Sequence, residues 1–206
     1  MTGVFVTLEG GDGSGKSTQS ALLEAWLAGL GKKVLRTREP GGTELGAELW
    51  DIVLHRRGDV APRAEALLYA ADRAQHIAMV VRPALARGEV VLQDRYLDSS
   101  VAYQGAGRTL DTAEIRSLSL WAAEELLPDL TVLLDLDPDA ARTRLGERTG
   151  YDRLEAEQAD FHRRVRDAYL GLAATEPERF LVVDAALPPE AITERIRARM
   201  AELLGR

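Results

Sequence analysis

Cysteine is absent from all 206 residues. That excludes a disulfide framework, an iron–sulfur cluster and any cysteine-ligated zinc site, and it neither requires nor forbids a cytosolic setting. No apolar run reaches membrane-spanning length, and Met1-Thr2-Gly3 carries no basic region of the kind that opens a secretory signal, so a cytoplasmic protein is the expectation. Basic charge is also in short supply. A formal net charge of −7 argues against a broad nucleic-acid or anionic-membrane surface, although basic residues can still cluster around a phosphate. The three histidines, His55, His76 and His162, lack metal-ligand spacing, and the chain shows no internal repeat and no low-complexity tract. What remains is an ordinary soluble composition, 46% apolar and 29% charged, long enough to build one domain over residues 1–206 around a sizeable core.

The most informative stretch is Gly10-Gly11-Asp12-Gly13-Ser14-Gly15-Lys16-Ser17, which fits the P-loop pattern of Gly, four residues, Gly-Lys-Ser. Glycines at these positions let successive backbone N–H groups turn inward around an anion. The pattern puts Lys16 on the β- and γ-phosphates of a nucleotide and the Ser17 hydroxyl on Mg²⁺. Its context agrees. Val4 to Leu8 reads as a buried strand, and Thr18 to Leu30 carries Leu22, Leu23, Trp26, Leu27 and Leu30 at helical spacing, so the anion meets a helix N-terminus. A Gly-rich turn without ligand is the bland alternative.

Further along, Lys33 to Thr37 reads as a second strand, parallel to the first because a helix crosses between them. Arg38-Glu39-Pro40-Gly41-Gly42-Thr43 then falls in a loop at its C-terminal end, where open α/β sheets bind ligands, or serves as plain turn chemistry. The spacing predicts a helix after Thr43 and a long Ala-rich one over 62–86. On the latter, Tyr69, Asp72, Arg73 and His76 share one face, which reads either as a solvated polar stripe or as a site. Val90 to Gln93 is a third strand that exits into Asp94-Arg95-Tyr96. An acid at such an exit suits the Mg²⁺-organising carboxylate, and Arg95 a phosphate clamp, while a local ion pair is the alternative. A helix beginning near Asp98 would point Ser100 and Gln104 the same way, with Tyr103 nearby. A helix over 110–127, a strand over 130–136 and a helix opening at Asp137-Pro138 follow. Arg142, Arg144, Arg148 and Arg153, broken by Gly146 and Gly150, suit a lid over about 142–153 or an exposed basic loop. A polar helix over 154–174, a fifth strand over 180–184 and a closing helix over 188–204 complete a three-layer α/β sandwich of about five parallel strands.

Taken together, Glu9 to Gln19, Thr37 to Thr43, Leu67-Leu68-Tyr69-Ala70-Ala71-Asp72-Arg73, Asp94-Arg95-Tyr96, Ser99 to Gly105 and Asp152-Arg153-Leu154-Glu155 resemble the thymidylate (dTMP) kinases, bacterial type, of the P-loop nucleoside-monophosphate kinases. The resemblance covers nearly the whole chain. It implies the reaction ATP + dTMP → ADP + dTDP with Mg²⁺ on Ser17 and Asp94, small-molecule substrates only, and a homodimer. It implies that Tyr69 stacks on thymine, Arg73 donates to the base O4, Ser100 and Gln104 read the remaining base edge, and Tyr103 packs beside the deoxyribose. Asp12 would approach the acceptor's 3′-hydroxyl and Arg95 its phosphate, with Glu39, Pro40 and Ser99 also on the acceptor side and Thr18 on the donor phosphates.

Two departures stand out. Gly13 occupies a position where one branch of the family carries arginine, which throws the transition-state charge onto the lid, with Arg148 and Arg153 joining Lys16 and Arg95 as catalytic residues. Trp50 stands where many bacterial relatives have a basic residue near the acceptor phosphate. The nearest rival is a kinase for another acceptor, since a nucleoside hydroxyl would need a base and Glu39 is the tempting one. A nucleotide switch is the rival of another class, but the guanine-reading Asn-Lys-x-Asp is missing from Leu133-Leu134-Asp135-Leu136-Asp137.

Overall fold

Five short strands, all but the edge strand β2 rich in apolar residues, form an all-parallel sheet: β1 Val4–Glu9, β2 Val34–Arg38, β3 Val90–Asp94, β4 Leu130–Asp135 and β5 Phe180–Asp184, in the order β2-β3-β1-β4-β5. The computed structural model describes residues 3–55, 59–146, 154 and 157–205. A parallel sheet is covered on both faces, which is why its strands read as apolar runs and not as alternations. Val6, Leu8, Leu92 and Val132 point to one face, under α1 (Lys16–Gly29) and α9 (Pro189–Leu204), where Leu23, Leu27, Ile196 and Met200 complete the largest core cluster. Phe5 and Val91 point to the other and pack on Ile77, Val81, Tyr96 and Leu97. Leu133 reaches α8 (Ala159–Thr175) through Phe161, Val165 and Tyr169.

β1 lies between β3 and β4, so the chain leaves the sheet in opposite directions on its two sides. That switch point opens a crevice at the strands' carboxyl ends. In it meet the loop after β1, the Arg38-to-Thr43 loop that leads into α2 (Glu44–His55), and the Asp94-Arg95 exit of β3. Arg38 is in register with Asp94 on the neighbouring strand.

Four expected helices differ from the pattern. The long one over 62–86 is α3 (Pro62–His76), a π-helical segment Ile77–Val81 and α4 (Arg82–Ala86). The Arg82 N–H bonds to Ile77 O, five residues back. This wider turn accommodates Pro83, whose ring would collide with the carbonyl four residues earlier in a regular α-helix. The segment after Tyr96 is one α-turn, α5 (Leu97–Ser100), followed by a second π-helical stretch, Val101–Gly107. The helix expected over 110–127 is α6 (Thr112–Ala122), capped by Asp111 and ended by Glu124 and Glu125 in left-handed conformation. The helix expected over 154–174 begins only at Ala159. Arg142 and Arg144, expected in a lid, are exposed on a regular helix, α7 (Pro138–Leu145), whose first turn is capped by Asp137. Arg148 and Arg153 lie outside the described residues.

Candidate active site

The turn after β1 depends on conformations open to glycine. Gly10, Gly13 and Gly15 have φ of 132°, 75° and 97°, and a Cβ on Gly10 would stand 2.4 Å from the Leu134 carbonyl oxygen. No side chain caps α1, so its first-turn N–H groups face the loop unclaimed. Lys16 Nζ donates to Gly10 O at 3.1 Å and Gly11 O at 2.9 Å. Burial, then Arg95, lowers the Lys16 pKa against the pull of Asp94, Asp12 and Glu9. Ser17 and Thr18 are exposed on the first turn, and the buried Ser14 hydroxyl has no partner. A cradle of N–H donors around a lysine ammonium suits a polyphosphate.

Across the crevice, Asp94 Oδ1 is buried without a hydrogen-bond partner. Its carboxylate and the Ser17 hydroxyl are both oxygen donors, the kind a hard divalent cation takes. Among the described residues no group of three His or acidic side chains could hold a metal unaided, and Mg²⁺ is bound in that way, by one or two protein oxygens with phosphates and water.

Beside the loop is a cavity of about 160 Å³, and all ten residues expected on the acceptor side line it: Asp12, Glu39, Pro40, Tyr69, Arg73, Arg95, Ser99, Ser100, Tyr103 and Gln104. Arg38, Trp50, Leu54, Asp94, Tyr96 and Leu154 complete the wall. The Tyr69 stripe of α3 is not solvated, because Asp72, Arg73 and His76 are fully buried. Glu39 makes this burial tolerable: Arg73 Nε donates to its Oε2 at 2.9 Å and His76 Nδ1 to its Oε1 at 3.0 Å, while His76 Nε2 lies 2.6 Å from the Thr37 hydroxyl. Arg73 also reaches Ser119 and Ser100, at 3.1 and 3.2 Å. Asp72 accepts from Gly41 N through Oδ1 and leaves Oδ2 unpartnered, and burial, then Glu39, pushes its carboxyl up to about 6.

Arg95 adopts a left-handed φ of 65°, a strained position for a residue with a side chain. Its guanidinium donates to Asp12 at 2.6 Å, Tyr103 Oη at 3.1 Å and Ser99 Oγ at 3.3 Å. Burial would raise the Asp12 carboxyl, but Arg95 and Lys16 outweigh it and hold it below the usual range. Beneath Ser99 lies Glu9, which accepts from Tyr96 N, Ser99 Oγ and Tyr169 Oη at 2.7, 2.6 and 2.8 Å. Burial, then Asp98, pushes Glu9 up to about 7. Arg38 is the counterpart without an acid: its guanidinium lies 5.3 Å from the Trp50 ring centroid and has no carboxylate partner among the described residues. Trp50 thus has a neighbouring cation over its ring.

Motif reasoning missed Arg38, Glu65, Tyr169 and the Glu39–His76 pair. Only Arg38 carries a local signal, as the last residue of a strand whose C-terminal loop was already suspect.

A family model described as Thymidylate kinase matches residues 8–196. The chain belongs to the thymidylate kinase family. Its relatives include the thymidylate kinase of Leifsonia xyli subsp. xyli (strain CTCB07), 75% identical over 199 residues that span 96% of this chain and 94% of the relative. That of Clavibacter sepedonicus is 74% identical over 206 residues, 100% and 98% of the two chains. The crystal structure of thymidylate kinase from Ehrlichia chaffeensis superposes with a TM-score of 0.79 at 29% identity, covering 97% of this chain and 99% of that one. The family's P-loop kinase architecture is the one described above, with the five-stranded parallel sheet between helical layers.

Proposed function

We propose that this protein transfers the γ-phosphoryl group of ATP to dTMP, yielding dTDP for nucleotide biosynthesis, in the cytoplasm and as a homodimer. The observation that carries the reading is the convergence of aromatic, guanidinium, hydroxyl and amide groups on one cavity that abuts the P-loop at Asp12. Such a set reads a planar base by its edge at one end and a phosphate at the other.

The donor's phosphates occupy the Gly10-to-Thr18 loop under Lys16. Ser17 and Asp94 would hold Mg²⁺, which when bound neutralises charge on the β- and γ-phosphates. Thymine packs on Tyr69, with O4 accepting from Arg73 and N3–H donating to Gln104; Ser100 completes the edge, and Tyr103 lies beside the sugar. The acceptor phosphate meets Arg95, with Arg38 as a second guanidinium. No general base is needed, because that phosphate is already largely dianionic at pH 7. The difficulty is repulsion between two anions, which Lys16 and Arg95 offset by position and charge. Gly13 adds no charge, so Arg148 and Arg153, outside the described residues, are the catalytic arginines proposed to complete it.

The dimer reading rests on apolar surface. Leu67 on α3, Met79 on its π-helical continuation and Trp121 on α6 are 58%, 63% and 76% exposed, and α3 packs against α6. Among the described residues no helix is long and apolar enough to cross a membrane.

The test is a panel of acceptors, dTMP, dUMP, dCMP, dGMP and thymidine, with ADP release as the readout. dTMP is expected to lead in kcat/KM, and no release is expected without an acceptor. Thymidine outpacing dTMP would overturn the reading.

A further inference from the structure

The base-reading end of the cavity rests on a residue that is absent from its wall. Gln104, on the π-helical segment Val101–Gly107, is buried, and its Nε2 donates to Glu65 Oε1 on α3 at 2.9 Å. Glu65 is fully buried behind it and paired with Arg108, whose Nη2 lies 3.2 Å from Oε2 and whose Nε lies 3.3 Å from both oxygens. Gln104 lines the cavity and Glu65 does not.

An amide has one donating and one accepting end, whereas a carboxylate paired with a guanidinium offers acceptors only. Turning the Gln104 amide over would set its oxygen against the Glu65 oxygens in a buried contact, so the NH₂ end is committed to Glu65 and Oε1 is the end left for the ligand. Which end faces the ligand decides which pyrimidine fits. Thymine and uracil carry a donor, N3–H; cytosine carries an acceptor at N3 and an amine where the others have O4.

We propose that Glu65 is a positioning residue for specificity: by fixing the polarity of the Gln104 amide it makes this edge of the cavity an acceptor for N3–H, and so selects thymine and uracil monophosphates against cytosine. The inference rests on the cavity being the dTMP site and names what tunes it. The O4 half of the code is set separately, because Arg73 presents donors and is pinned by a different acid, Glu39. Two buried carboxylates, Glu39 in the wall and Glu65 behind it, thus fix the two halves of the base edge. Discrimination of this kind is strong because the wrong base leaves buried polar groups unpaired.

Glu65→Gln tests the idea, since it keeps the shape but offers a donor as well as an acceptor, allowing the Gln104 amide to turn. The expected result is a fall of at least tenfold in the ratio of kcat/KM for dTMP to that for dCMP, with dUMP moving in parallel with dTMP because it carries the same N3–H. The exchanged pair, Glu65→Gln with Gln104→Glu, puts a donor behind an acceptor and is expected to restore the preference for dTMP. A Glu65→Gln enzyme that loses dTMP and dCMP activity in proportion, leaving the ratio unchanged, would show a merely structural role and overturn the proposal. So would an exchanged pair that stays unselective. Should the single variant not fold, the exchanged pair decides alone. A wild-type enzyme with no preference for dTMP over dCMP would instead mean that the dTMP reading of the cavity itself is wrong.

Discussion

Asp72 is the clearest case of a single residue in tension with its surroundings. Its carboxyl is buried between Glu39 and the Gly41 amide with Oδ2 unpartnered, and it is pushed from 3.8 up to about 6. As pH rises through that interval the unfolded chain gives up its proton first, while the folded chain retains it. The stabilising contribution is therefore complete below about 3.8, declines as pH rises, and is gone above about 6. Asp72→Asn removes this titration, so the variant should gain on the wild type by up to about 3 kcal/mol between pH 4 and pH 7, at roughly 1.4 kcal/mol per unit. Urea unfolding at both pH values measures it, and a difference that does not move with pH would rule out Asp72 as the titrating group. Glu9 titrates in an overlapping window in both proteins and cancels in the comparison.

At the scale of elements, the boundary between what was legible and what was not follows the range of the contacts. The P-loop, the Arg38-to-Thr43 loop and Asp94-Arg95-Tyr96 announce themselves because their chemistry is local: a strand end, a turn and a few side chains in fixed order. The one-faced spacing of Tyr69, Asp72, Arg73 and His76 was equally plain. Its burial was not, since three polar groups can leave water only when Glu39, more than thirty positions away, comes to meet them. Glu65 reaches Gln104 across 39 residues, and Tyr169 reaches Glu9 across 160, with no signal at either end. The π-helical segments were missed for a different reason. A hydrophobic pattern with a helical period does not register a single widened turn, and here one such turn carries Tyr103 and Gln104 into the cavity.

For the molecule as a whole, the order β2-β3-β1-β4-β5 sets the glycine-rich loop and the cavity side by side at the carboxyl ends of the strands, the loop after β1 and the cavity beside the ends of β2 and β3. The opposite concern is the surface left over, where Trp121 stands 76% exposed on α6. If a second copy covers it, Trp121→Glu should convert the dimer largely to monomer, as read by light scattering after gel filtration; an unchanged mass would move the interface elsewhere. A last consequence comes from Gly13. A Cβ there would stand 3.2 Å from both the Ala141 carbonyl oxygen and Leu145 Cγ on α7, at a backbone φ of 75°. Loop side chain and helix are rival tenants of one volume. An engineer who grafts Gly13→Arg to supply charge from the loop should therefore see turnover and melting temperature fall together, because the graft displaces α7 ahead of residues 147–153. Wild-type turnover in that variant would show that α7 can yield. On this geometry a side chain at Gly13 and α7 in its present place compete for the same space, so charge added to the loop comes at the expense of the helix.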